Sequence, residues 1–351
     1  MQAARLHEYD PSIPKQSLTV EQVPEPTIQG PMDVIVRIGA AGLCRTDIHV
    51  VEGQWAPITG MELPYVLGHE NSGWVEEVGA GVTNVAVGDT VMVHPLITCG
   101  LCRACRAGDD MHCENSAFPG IDSDGGMAQL LRTSARSCVK LDPVLQPKDI
   151  AALADAGLTA YHAVRKSVPH LYAGTKAVVI GAGGLGHIGI QCLKALTPTE
   201  IIVVDPNEKA LALAKEWGAD QTVQVKDGYL DTVMEMTNGM GAEVVFDYVG
   251  ERGAEDDAWK MTRRAGYHYV IGYGGTVEVP TIDIISSERN VIGNLVGTYN
   301  DLAELMTLTA EGKVSLHTST YPLDAVNDAI QDLNTGNLQG RGILIPEGAG
   351  S

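Results

Sequence analysis

Positive charge is scarce in this chain. Twenty-four Lys and Arg stand against 44 Asp and Glu, giving a net charge of −20 and a pI near 4.8. Such a surface repels phosphate backbones and anionic lipid headgroups, so neither a nucleic acid nor a membrane is expected as a partner. A secretory leader is missing too, because the opening MQAARLHEYD is polar and charged. Long apolar runs are few. The most extended, Ala177–Leu196, contains five glycines with His187, Gln191 and Lys194, and reads as a buried strand running into a helix. Cysteine is sparing, seven in 351 residues. That is no disulfide scaffold at this length, and without a leader it points to a reducing cytoplasm. No internal repeat is present.

Four of those cysteines fall together. Cys99, Cys102, Cys105 and Cys113 form C-x2-C-x2-C-x7-C. Four thiolates on one short loop supply the soft, tetrahedral donor set that zinc takes. Four protein ligands leave no position for water or substrate, so this zinc is expected to be structural. A bacterial ferredoxin run ends C-x3-C-P, whereas here Cys113 comes after seven intervening residues and is followed by Glu114.

The length suits two domains. Up to about residue 150 the chain reads as short strands between turn residues: Val34–Gly42, Trp74–Gly79 and Thr90–Pro95. An irregular all-β domain is expected there. After Pro147 the pattern changes to continuous Val/Ile runs alternating with helices. Lys176–Gly181, Ile201–Asp205, Ala242–Gly250, Tyr267–Gly275 and Asn290–Gly297 read as strands of a parallel sheet covered on both faces. The tail, LDAVNDAIQDLNTGNLQGRGILIP, reads as one helix and one strand.

Gly181-Ala-Gly183-Gly184-Leu185-Gly186 is G-x-G-x-x-G placed after a strand and opening a helix. The first glycine makes the turn, the second lets a pyrophosphate approach, and the third lets helix and strand pack closely. The helix N-terminus then faces the phosphates. Asp205 follows 19 residues after Gly186 at the end of the next strand. A carboxylate there binds a ribose 2′-hydroxyl and repels a 2′-phosphate, and no arginine follows it immediately, the next residues being Pro206, Asn207 and Glu208. NAD is expected over NADP, with a helix cap as the alternative reading of Asp205.

A second cluster is polar: Cys44-Arg45-Thr46-Asp47-Ile48-His49, then Gly68-His69-Glu70. Together with the cysteine lobe and GAGGLG, these motifs make the chain resemble the zinc-containing medium-chain alcohol dehydrogenases over essentially its full length. The resemblance implies a GroES-like irregular β-barrel catalytic domain at 1–156 and 297–351, with the structural-zinc lobe at about 95–115. It also implies a Rossmann doubly wound parallel sheet at 157–296, the NAD-binding domain, and two zinc ions per chain. Cys44 and His69 would hold a catalytic zinc, with Asp47 fixing the imidazole of His69. Thr46 and His49 would carry the alcohol proton to solvent. Arg45 and Arg341 would hold the pyrophosphate, Thr159 would lie against the nicotinamide, and Ile271 and Leu295 would border the cofactor. The family's usual second cysteine ligand falls at Asp155, whose carboxylate can bind zinc and preserves the charge of the set. The substitution resembles a bacterial branch acting on secondary and aryl alcohols, and Glu70 remains the alternative ligand. Trp55 and His94 would border the substrate pocket.

The implied reaction interconverts primary or secondary alcohols, medium-chain or aryl, and carbonyls with NAD(H). A polyol or threonine-type zinc dehydrogenase and a non-catalytic NADH-binding protein are the alternatives. A homo-oligomer is expected, a tetramer ahead of a dimer, with the sheet extended across subunits near Asn290–Gly297.

Overall fold

Two kinds of apolar pattern organise the computed structural model, which describes residues 1–338 and 340–349. Its strands are, in chain order, β1 (Gln2–Leu6), β2 (Thr19–Gln22), β3 (Asp33–Leu43), β4 (Tyr65–Val66), β5 (Glu70–Val78), β6 (Thr90–Val93), β7 (Leu130–Ser134) and β8 (Cys138–Lys140). They continue as β9 (Lys176–Ile180), β10 (Glu200–Asp205), β11 (Gln221–Gln224), β12 (Ala242–Asp247), β13 (Thr262–Val270), β14 (Asn290–Gly293), β15 (Thr318–Pro322) and β16 (Arg341–Ile345). The chain divides into one unit of Met1–Leu158 with Thr298–Ser351 and another of Thr159–Gly297.

The first unit is a seven-stranded sheet in the order β15-β16-β3-β5-β6-β8, with β7 on β3, beside a three-stranded sheet β2-β1-β4. Its core gathers the inward residues of these strands, among them Val34, Val36, Ile38, Val91 and Leu344, with Ile48, Met127 and Ile330 from the connecting segments. This is the GroES-like barrel. Gly42 pairs with Glu70 across β3 and β5, and Leu43 pairs with Gly342 across β3 and β16. That register sets Cys44, just past β3, beside His69, just before β5, and beside Arg341 at the head of β16.

The second unit is a six-stranded sheet in the order β11-β10-β9-β12-β13-β14, parallel at every pairing. Strands β9, β10 and β12 are almost wholly buried, as their unbroken Val/Ile runs require. Helices flank them, notably Gly186–Leu196 after β9 and Glu208–Glu216 after β10. This is the Rossmann sheet.

Several strands depart from the expected reading. β5 begins at Glu70 rather than Trp74, because its first residues are small and polar yet buried. β13 begins at Thr262 rather than Tyr267, through an arginine-bearing stretch. β11 is polar and carries no apolar run to announce it. In the tail, the helix is Val326–Thr335 and the strand is β16, while Gln339 of that segment lies outside the described residues.

Candidate active site and metal centres

The Cys44–Asp47 stretch folds as a helix start, with helix Arg45–Val51 following directly. Asp47 Oδ2 accepts the Cys44 N–H at 2.8 Å, the capping-box bond that fixes the turn. Its other oxygen lies 3.3 Å from Nδ1 of His69, both side chains being fully buried. One carboxylate thus caps the helix and orients the imidazole. On the far side of the ring, Nε2 lies 3.5 Å from Oδ2 of Asp155. Cys44, His69, Glu70 and Asp155 each offer a donor atom, and these atoms all lie within 4.8 Å of one another.

Glu70 is heavily engaged within that set. Its carboxylate accepts the Ala156 N–H at 2.9 Å and pairs with the guanidinium of Arg341. Burial raises its carboxyl, and Arg341, first, draws it back. Gly42 makes the arrangement possible, since a Cβ there would stand 2.2 Å from Glu70 Oε2. Arg341 is only 4% exposed. The pyrophosphate role that the resemblance gives it meets a guanidinium already enclosed against Glu70, while Arg45 is exposed and reaches Asn334 at 3.4 Å.

The donor chemistry suits zinc. Burial works against charge on His69, but Asp47, followed by Asp155, outweighs it and holds the ring protonated well above its ordinary range. A cation between Cys44, His69 and Asp155 would take the place of that proton. In the second cluster the four sulfurs also lie within 4.8 Å of one another, and all seven cysteines are free thiols. The N–H groups of Leu101 and Cys102 point at Cys99 Sγ, both at 3.4 Å, and lower that thiol to about 6. Cys105 is pushed up to about 12, by burial first and by its three neighbouring sulfurs. Four thiols so placed cannot ionise together without a cation among them. The remaining cysteines, Cys138 and Cys192, are buried elsewhere.

Thr46 is half-buried one turn ahead of His49 on the same helix. Trp55 is half-buried and packs on the barrel core. His94 is buried, its Nδ1 accepting the Leu96 N–H at 3.2 Å. Phe118 escaped the sequence reading. Its ring meets His69 edge-on, with centroids 5.7 Å apart. Nothing in the local pattern marks it, because the contact depends on how a loop folds back.

In the other unit, Gly181 has φ +89°, and a Cβ on Gly186 would stand 1.8 Å from the Gly181 carbonyl oxygen. A Cβ on Gly183 would meet nothing within 4 Å, which leaves its backbone open to a phosphate. Gly183 itself is exposed, with Gly184 and Leu185 half-buried beside it. Asp205 Oδ2 accepts the Ala182 N–H at 2.8 Å, tying the acid to the glycine turn. Its Oδ1 accepts the Asn207 N–H at 2.7 Å, and the cap of helix Glu208–Glu216 is Asn207. Ile271, just past β13, and Thr159 are buried, whereas Leu295 is 51% exposed.

Comparison with known proteins matches the two halves of this picture. Residues 30–143 match the alcohol dehydrogenase GroES-like domain, and residues 184–311 match the zinc-binding dehydrogenase domain. An alcohol dehydrogenase of Geobacillus stearothermophilus is 35% identical over 94% of this chain and 96% of its own. The chain belongs to the zinc-containing medium-chain alcohol dehydrogenases. As a member it is an enzyme, an oxidoreductase whose cofactors are zinc and NAD. D-arabinose 1-dehydrogenase (NADP(+)) of Saccharolobus solfataricus is another relative, 35% identical over 94% of this chain and 95% of its own. Among solved structures, the alcohol dehydrogenase of Aeropyrum pernix superposes with a TM-score of 0.94 at 46% identity, covering 99% of this chain and 100% of that one.

Proposed function

We propose that this dehydrogenase interconverts primary or secondary alcohols, medium-chain or aryl, and the corresponding aldehydes or ketones. The observation that carries the reading is the convergence of Cys44, His69 and Asp155 on one point of the barrel. Zinc held there supplies a Lewis acid that lowers the pKa of an alcohol, and NAD supplies the hydride acceptor. Cys44, His69 and Asp155 hold the metal, and Asp47 keeps the imidazole of His69 turned toward it. Glu70 is better read as the partner of Arg341 than as the resident ligand, since both of its oxygens are engaged. Thr46 takes the alcohol proton and passes it toward His49. Phe118 and Trp55 present apolar surface that excludes water. In the other unit, Gly181, Gly183 and Gly186 cradle the pyrophosphate. Asp205 takes the ribose hydroxyls and disfavours a 2′-phosphate, which supports NAD over NADP.

Metal content per chain tests the site. Wild type should hold two zinc ions. Asp155→Ala should lose one of them together with alcohol oxidation, and Cys102→Ser should lose the other. A full complement of two in Asp155→Ala would remove Asp155 from the ligand set.

The resemblance to D-arabinose 1-dehydrogenase favours a second reading, a polyol or sugar substrate. Turnover of a sugar or polyol in preference to simple alcohols would select it. For assembly we propose a homo-oligomer, a tetramer ahead of a dimer. The edge strand β14 supports this, with Val291 exposed on it and Ile282 and Ile285 exposed on helix Thr281–Ser287. Free thiols throughout agree with a reducing cytoplasm. No helix among the described residues is long and apolar enough to cross a membrane.

A further inference from the structure

We infer that Glu52 is a positioning residue of the proton path, holding His49 in the one tautomer that can receive a proton. His49 lies in the last turn of helix Arg45–Val51, and Glu52 stands three residues on, at its C-cap. Nδ1 of His49 lies 2.9 Å from Oε2 of Glu52. A carboxylate only accepts, so the ring proton sits on Nδ1 and the lone pair on Nε2. The carboxylate is itself held. Gln54 Nε2 donates to the same oxygen at 2.7 Å, and the Gln54 N–H returns to the His49 carbonyl at 3.0 Å. His49, Glu52 and Gln54 therefore form a closed turn. The side chains of His49 and Glu52 are 19% and 25% exposed, so the pair stands at the edge of solvent.

The inference rests on the reading of Thr46 and His49 as the proton path. The substrate hydroxyl gives its proton to the Thr46 oxygen as Thr46 gives its own onward, and the proton ends on Nε2 of His49. The ring is then an imidazolium with Nδ1–H still on Glu52, whose negative charge stabilises it, as an acid behind a histidine base does elsewhere. Release of the Nε2 proton to water restores the starting tautomer. Glu52 neither gains nor loses a proton in the cycle. If His49 held the opposite tautomer, Nε2 would carry a hydrogen and could not accept.

The test uses the zinc-loaded enzyme with histidine ring nitrogens labelled with 15N. Wild type should show His49 as the Nδ1–H tautomer, and Glu52→Ala should show a mixture. In Glu52→Ala, kcat/KM for an alcohol should fall about tenfold, the scale of losing such a supporting partner, with NADH affinity and zinc content unchanged. Glu52→Gln, which keeps an acceptor in place, should recover most of the tautomer and rate. His49→Gln should fall at least as far, and adding Glu52→Ala to it should cost nothing more. An Nε2–H tautomer in wild type, or an unchanged rate in Glu52→Ala while His49→Gln is slow, overturns the role of Glu52. An unchanged rate in His49→Gln itself overturns the proton path and, with it, this inference.

Discussion

His268 lies within β13 with its side chain fully buried, 3.9 Å from the carboxylate of Asp247, and neither of its ring nitrogens makes a hydrogen bond among the described residues. Burial pushes its pKa down to about 4. The unfolded chain takes a proton at this ring below its ordinary 6.5, whereas the folded chain takes one only below about 4. The stability linked to His268 is therefore full above pH 6.5 and is lost as pH falls toward 4, up to about 3 kcal/mol. Asp247 opposes part of this, because burial holds its own carboxyl above the usual range. A series of melting temperatures from pH 7 to pH 4 should fall less steeply in His268→Leu than in wild type. Parallel curves would assign the acid sensitivity to other groups.

The turn between β9 and helix Gly186–Leu196 is the element that sequence describes best, because everything it needs is contiguous. Gly186 stands against the Gly181 carbonyl with no space for a Cβ, so Gly186→Ala must open the turn. NADH affinity, read by fluorescence titration, should fall by more than about tenfold, or about 1.4 kcal/mol. An unaltered affinity would mean that the cofactor does not depend on this turn. The cysteine lobe is legible for the same reason, since Cys99 to Cys113 occupy fifteen consecutive positions. The barrel is less so. Cys44 and His69 meet through the β3–β5 register, and Arg341 reaches Glu70 across 271 residues of sequence. Burial of Arg341 is not readable from Gly-Arg-Gly, nor is the meeting of Phe118 with His69, nor β11 with its polar residues. Glu52 was missed for a different reason. A glutamate three residues after a histidine in a helix is common, and only the closing contact of Gln54 distinguishes it.

At the scale of the whole molecule, 44 acidic side chains against 24 basic ones place a net −20 on 351 residues. Self-repulsion of that size opposes compactness and is screened once the Debye length shortens to about 8 Å near 0.15 M salt. Raising NaCl from about 10 mM to about 150 mM should therefore raise the melting temperature, and calorimetry that finds a fall would show that screened ion pairs matter more. The topology carries a consequence for synthesis. β16 lies between β15 and β3 in the first sheet, yet it comes last in sequence among the described strands. While the ribosome is still extending the polypeptide, the Rossmann unit has all its described strands, but in the barrel the Ala41–Leu43 end of β3 waits unpaired on one side, beyond the stretch that β7 covers. Cys44, His69 and Asp155 are by then already made, and Glu70 has no guanidinium to face. Completion of the barrel thus waits on the synthesis of β16, and a nascent chain stalled before Arg341 exposes an open strand edge that chaperones would have to cover.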